Sequence, residues 1–206
     1  MDLYITTYIL ISEKKVIVDD QLRFYKENFI NFADFIKSLY KQEGIVYPKF
    51  YKMDNLSKLG FMAAELILGK RDTNSFRKEE TGIVLANSSA SLDTDIIHQE
   101  SIKDRSRYFP SPSVFVYTLP NIVIGEICIK HKIKGENAFF VSETFEPQIL
   151  VNYVSEMMGS NRVQACLCGW VEMMGGKYEA LMCLVEKEQS SRPFTADIMK
   201  QIIERN

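Results

Sequence analysis

The side chains able to do covalent or acid–base chemistry are few and scattered. Ser142-Glu143-Thr144-Phe145-Glu146 sets two hydroxyls beside two carboxylates. A threonine hydroxyl has a high pKa and attacks a carbonyl only when a base is positioned for it. Glu143 and Glu146 are close in sequence to Thr144, but their simplest role is an acidic cluster at the start of a helix headed by Pro147. Cys128 falls in an apolar helical stretch, and Cys166 and Cys168 share one side of an apolar strand. An apolar setting raises a thiol's pKa, so these cysteines and Cys183 read as buried thiols of a reducing compartment. Only His98 and His131 are present. A zinc site would need further ligands, so no metal and no cofactor are expected. His131 stands in the cationic run Lys130-His131-Lys132 and reads as a solvated helix end.

The elements that must position these groups belong to an ordinary globular chain. It has 206 residues, 46% hydrophobic and 25% charged, with a net charge of −2. That length suffices for one substantial core, and one domain over residues 1–206 is the expectation. The charge balance gives no basic footprint for nucleic acid. Met1-Asp2-Leu3-Tyr4 lacks the basic region and apolar core of a secretory signal. No run approaches the ~20 apolar residues of a membrane span. Cytoplasm is the expected location.

Along the chain, Tyr4 to Ser12 is β-branched and aromatic and predicts a strand. Val16-Ile17-Val18 is a second strand or the first one's continuation after a turn. In Asp20 to Tyr40 the residues Leu22, Tyr25, Phe29, Phe32, Phe35, Ile36 and Leu39 fall at helical spacing. Residues 13–50 are the least determined part. Asp54 is a helix cap, with Leu56, Leu59, Met62, Ala63, Leu66 and Ile67 on one apolar face and Gly69 at its end. Lys70 to Glu80 is a charged connection. Thr81 to Ser88 is a strand and Ser91 to Ile102 a helix. Ser111-Pro112 signals a turn, and Pro120 suits the first turn of a helix over Asn121 to His131. Gly135 suits a positive φ, and Ala138 to Val141 is a short buried strand. Pro147 opens a helix with Ile149, Leu150, Tyr153, Val154, Met157 and Met158 on its apolar face. Val163 to Glu172 and Tyr178 to Glu186 form a hairpin turned at Gly175-Gly176, and Thr195 to Arg205 is a terminal helix. This alternation predicts an α/β fold with a mixed sheet between helix layers.

The stretch Ser111 to Glu143 resembles the segment of the beta-ketoacyl synthases that ends at the nucleophilic cysteine. Pro112, Asn121 and Gly125 stand where that pattern has a proline, then an asparagine and a glycine on a buried helix. Gly135-Glu136-Asn137 stands for its Gly-Pro-Asn, and Ala138 to Val141 for its strand. Lys52-Met53-Asp54-Asn55 and Ala63-Ala64 are similar to an earlier Arg-Met-Asp-Arg and Ala-Ala. Continued in step, the family's Thr-Ala-Cys falls on Ser142-Glu143-Thr144, so the nucleophile's position holds Thr144. The resemblance implies a single thiolase-like half, βαβαβαββ. In the family, two further histidines come from a second half, to which this chain has no counterpart.

The resemblance implies a non-catalytic, chain-length-factor-like subunit in acyl-carrier-protein-dependent fatty acid, polyketide or aryl-polyene synthesis. Its partners would be an active full-length synthase or a second copy of the chain, paired through the Ala138–Val141 strand at a sheet edge, with an acyl carrier protein as a further partner. Two other readings stand beside it. One is an acyl hydrolase or transferase using Thr144 or Ser142 as nucleophile; the other is a scaffold protein with no ligand.

Overall fold

The structure, a computed structural model, describes residues 2–25, 27–28, 30–69, 78–104, 106 and 109–205. The strands are β1 (Tyr4–Ser12), β2 (Lys15–Val18), β3 (Gln21–Tyr25), β4 (Thr81–Asn87), β5 (Asn137–Val141), β6 (Ala165–Met174) and β7 (Lys177–Glu186). The helices are α1 (Phe32–Gln42), α2 (Asn55–Leu68), α3 (Leu92–Ile102), α4 (Pro112–Val116), α5 (Ile122–His131), α6 (Pro147–Gly159) and α7 (Ala196–Glu204). The strands form one seven-stranded sheet in the order β3-β2-β1-β7-β6-β4-β5. β4 runs parallel to β5 and β6, and every other pairing is antiparallel.

Side chains alternate across a strand, so each inner strand feeds two cores. Ile83 and Leu85 of β4 join Leu167 and Val171 of β6 under α1, α2 and α5. Val84 and Ala86 join Cys166, Cys168 and Trp170 under α6 and α7. β4 is buried along its whole length, as expected of a parallel strand covered on both faces. The result is a mixed sheet between two helix layers, the α/β architecture expected from the sequence.

Several local expectations hold. Asp54 caps α2 by accepting the Ser57 N–H at 2.9 Å, and Gly69 follows the helix at its C-cap. Pro147 opens α6, and Gly175 and Gly176 turn the β6–β7 hairpin with positive φ. Other expectations are corrected. Residues 20–40 are not one helix: Gln21–Tyr25 pairs with β2 as an edge strand, and only Phe32–Gln42 is helical. Leu22 and Tyr25, read as part of an apolar helix face, are exposed, while Phe24 between them is buried. Phe29 and most of the charged connection, residues 70–77, lie outside the described residues. The Ser111-Pro112 signal opens the short helix α4 rather than a bare turn. Pro120 precedes α5 by one residue beyond the N-cap position of Asn121.

Gly135 also departs from expectation. The left-handed residue after α5 is Lys132, with φ of 58°, and Gly135 has no positive φ. Gly135 is required by proximity instead: a Cβ there would lie 2.2 Å from the carbonyl oxygen of Thr81. This contact lets the chain enter β5 tightly against the start of β4, where Ile83 N–H also donates to the Glu136 carbonyl.

At the other end of β4 the turn into α3 is built on Asn87 and Glu172. The buried Asn87 amide brackets Ala90, donating to its carbonyl and accepting its N–H. Glu172 Oε2 of β6 accepts from Ser88 N–H at 2.7 Å, Ser88 Oγ at 2.9 Å and Ser89 N–H at 3.2 Å. Burial alone would raise this carboxyl, but the serine hydrogen bonds outweigh it and hold it below the ordinary glutamate value.

Two predictions follow from these contacts. Gly135→Ala should cost about 1–3 kcal/mol through forced displacement of backbone. Gly125→Ala, on a helix where the new methyl meets nothing within 4 Å, should gain about 0.5–1 kcal/mol. Urea unfolding of both variants checks the contrast; equal effects would contradict the close approach. For Glu172, a depressed folded pKa gives stability that is present above the unfolded value of about 4.3 and is lost as pH falls through the folded value. Glu172→Gln should therefore lower the melting temperature at pH 7 and flatten its fall below pH 4.5 or so, relative to wild type.

Candidate functional site at the carboxyl end of the parallel strands

β4, β5 and β6 run the same way, so their carboxyl ends gather at one rim, the usual place for ligands in open α/β sheets. The rim brings together the turn Asn87-Ser88-Ser89-Ala90 after β4, the loop Ser142 to Glu146 after β5, and Glu172 late in β6. Ser142 N–H donates to the Asn87 carbonyl at 3.0 Å, which ties the β5 loop to the end of β4. Phe145 anchors the same loop edge-on against Trp170 of β6, with ring centroids 5.6 Å apart.

Thr144 sits in this loop between β5, which ends at Val141, and α6, which starts at Pro147. That is the strand-to-helix turn expected from the resemblance. Its side chain is exposed, and its hydroxyl donates to Glu146 Oε1 at 3.4 Å. A general base works at about 2.6–3.2 Å from the proton it takes. Ser142 Oγ donates to the Thr144 carbonyl at 2.8 Å, so its proton is held by a neutral backbone group. Thr144 and Ser142 thus present hydroxyls without an aligned base, and the carboxylate that Ser88 Oγ does reach, Glu172, is shared with two backbone N–H groups of the turn.

The other nucleophile candidates are remote or inert. Cys166, Cys168 and Cys183 are completely buried, and burial pushes all of them far above the ordinary thiol value. Cys128 is pushed up for the same reason. None of these thiols is a ready thiolate. Among the described residues, no group of three or more His, Cys, Asp or Glu side chains converges as metal ligands, and no helix is long and apolar enough to cross a membrane.

His131 corrects the sequence reading. Its ring is only 14% exposed and its Nε2 lies 2.6 Å from Glu65 Oε1, itself 6% exposed, so it joins α5 to α2 rather than facing solvent. It closes α5 before β5 begins, whereas Thr144 follows the far end of β5. His98 lies on α3 against the Phe115 ring. Neither histidine is hydrogen-bonded to the rim hydroxyls.

The sequence reading missed the serine–carboxylate contact of Ser88 and Glu172, and the buried carboxylate of Glu126. Glu126 on α5 accepts from Tyr117 OH at 2.9 Å and pairs with Lys49 at 2.9 Å. A signal existed for both: Glu172 is the lone charge of an apolar strand and Glu126 the lone acid in the apolar run that opens α5, and such groups are taken out of water only when partnered. Ala138–Val141 lies in β5 at the edge of the sheet, the position that pairing with another chain requires; the apolar run is only half-buried, however, with Val141 56% exposed.

No family model and no curated protein matches the chain. Solved structures do. An ishigamide ketosynthase/chain length factor aligns over 94% of this chain and 64% of its own, with a TM-score of 0.66 and 19% identity. A type II polyketide synthase acyl-carrier protein in complex with its ketosynthase bound to the hexaketide aligns over 100% of this chain and 65% of its own, at 0.69 and 11%. A ketosynthase in complex with its chain length factor from Xenorhabdus doucetiae aligns over 100% and 91%, at 0.63 and 13%. The chain therefore spans just under two thirds of the first two. Identities this low speak to architecture: the chain has the fold of the ketosynthases and chain length factors, a thiolase-like half with its mixed sheet between helix layers.

Proposed function

We propose that this chain is a non-catalytic, beta-ketoacyl-synthase-like subunit that pairs with an active condensing synthase in acyl-carrier-protein-dependent fatty acid or polyketide-type synthesis. The observation that carries the reading is Thr144. It stands in a strand-to-helix turn, exposed and without a base at working distance, at the position to which the in-step resemblance assigns the family's cysteine. A condensing enzyme needs a thiolate there to accept the acyl chain. The four thiols of this chain lie elsewhere, with burial holding them protonated.

Pairing is supported by what the fold leaves open. β5 is a sheet edge whose outward backbone groups have no strand partner among the described residues. Unpaired edges are templates for another chain unless they are protected. Phe139 and Phe140 are half-buried against their own chain, Phe140 meeting Tyr153 with centroids 5.2 Å apart. Val141 is the apolar strand residue left to a partner, with Asn137 exposed at the other end of the strand. Further apolar exposure lies on α3 and α4, which pack on each other: Ile96, Ile97, Phe115 and Val116 are exposed, as is Leu119 just after α4. Grouped apolar exposure of this kind marks contact surfaces. An acyl hydrolase or transferase using Thr144 or Ser142 has no base or oxyanion site to support it.

Two outcomes are expected. The purified chain alone should not condense malonyl and acyl thioesters, and Thr144→Ala should leave that baseline unchanged. Turnover above a heat-killed control that disappears in Thr144→Ala would overturn the non-catalytic reading. In light scattering at micromolar concentration the wild type should be a dimer, and Val141→Lys should weaken it by about tenfold or more, since ~1.4 kcal/mol suffices for that change. A monomeric wild type that also fails to bind a condensing synthase would contradict pairing through β5.

A further inference from the structure

A cavity of about 230 Å³ lies where the amino end of α2 meets α3 and α4. Met53, Ile97, Val114 and Tyr117 supply its apolar wall, and Lys52 and Lys58 its cations. The two carboxylates that also line it are committed to the fold. Asp54 accepts from Ser57 N–H at 2.9 Å and Thr94 Oγ1 at 2.8 Å. Asp93 accepts from Asn55 Nδ2 at 3.3 Å and Gly175 N–H at 3.0 Å. The side-chain nitrogen of Lys58 makes no hydrogen bond or ion pair with any described residue; its backbone N–H donates to the Asp54 carbonyl at 3.0 Å.

Lys58 is half-buried at this wall. Burial pushes its ammonium below the ordinary lysine value; the Asp54 carboxylate opposes that shift and Lys37 of α1 adds to it. Asp93 on α3 and Lys52, in the turn before α2, are the other charged groups on the cavity. A lysine becomes nucleophilic when its neutral amine is favoured by desolvation or by a neighbouring cation. Lys58 has both, plus an apolar surface on which the tail of an electrophile can lie.

We propose that Lys58 is a covalent acylation site for short to medium acyl thioesters bound in this cavity. The neutral amine attacks the thioester carbonyl carbon and a C–N bond forms. The C–S bond then breaks, the thiolate leaves, and the proton lost by nitrogen ends on sulfur, giving an acyl-lysine amide and a free thiol. A volume of 230 Å³ holds about seven water-sized units at ~30 Å³ each, which suits an acyl chain of modest length and not a whole cofactor. The proposal rests on the function proposed above only for where thioesters come from, since the chemistry needs no partner subunit.

The test is site-resolved peptide mass spectrometry on the full chain, with limiting octanoyl-coenzyme A in one arm and the same acyl group on a carrier protein in the other, from pH 7 to 9.5 or so. Lys58 should be acylated severalfold faster than exposed lysines such as Lys103 and Lys134, with its rate rising at lower pH than theirs. Lys58→Arg should remove the adduct without changing the melting temperature. Val114→Trp, which fills the cavity, should slow octanoyl more than acetyl transfer to Lys58. Modification that simply tracks exposure, or no adduct at Lys58 in either arm, would overturn the proposal while leaving the pairing function untouched. Acylation in the carrier arm alone would place the source on the carrier; acylation in both would make the free thioester sufficient.

Discussion

The close approach of two backbones at the start of the parallel strands is the constraint on which the rest depends. Gly135 lies so near the Thr81 carbonyl that no side chain fits between them. Because the chain passes there, β5 can run parallel to β4 in the register Ile83 to Asn137 through Asn87 to Val141. That register fixes where β5 ends, and so where the loop carrying Ser142 and Thr144 emerges. The Ser142 N–H on the Asn87 carbonyl and Phe145 on Trp170 then hold the loop at the rim. A glycine at one end of a strand thus sets the geometry at the other.

The same pairing leaves β5 with only one neighbour, at the margin of an otherwise covered sheet. Its side chains are divided: Phe139 joins the core under α2 and α5, while Ala138 and Phe140 join the core under α6 and α7. Asn137, Val141 and the outward backbone groups are left for another chain. The helices α3 and α4 add exposed aliphatic and aromatic residues and contribute little to the core. The chemistry at the rim is comparatively thin. Its one strongly coordinated carboxylate, Glu172, is spent on holding the turn after β4. The molecule has invested its polar contacts in shape and left its apolar surface open, which suits a subunit that acts by contact.

Much of this was legible where local signals were strong. The cap at Asp54, the proline at the head of α6 and the glycine hairpin at Gly175-Gly176 each act within a few residues, and each was found. The loop position of Thr144 followed from counting in step from Gly135. What was not legible depended on distant partners. Leu22 and Tyr25 fall at helical spacing with Phe32 and Phe35, yet Gln21–Tyr25 is held extended by hydrogen bonds to β2. Gly135 was identified as special for the wrong reason, because its neighbour, Thr81, is far away in sequence. His131 looked solvated among lysines, since nothing nearby in sequence reveals that Glu65 waits on α2. The edge position of β5 was expected for pairing, but the half-exposure of its side chains was not, because an apolar run does not say how much of it its own chain will cover.

Amide hydrogen exchange along β5, read by mass spectrometry, tests the central claim most directly. In the dilute isolated chain, the outward-facing amides of Asn137–Val141 should exchange quickly while those bonded to β4 stay protected. On self-association, or on binding a condensing synthase, the outward set should become protected as well. Assembly that leaves exchange along β5 unchanged and protects a different surface would contradict pairing through this edge.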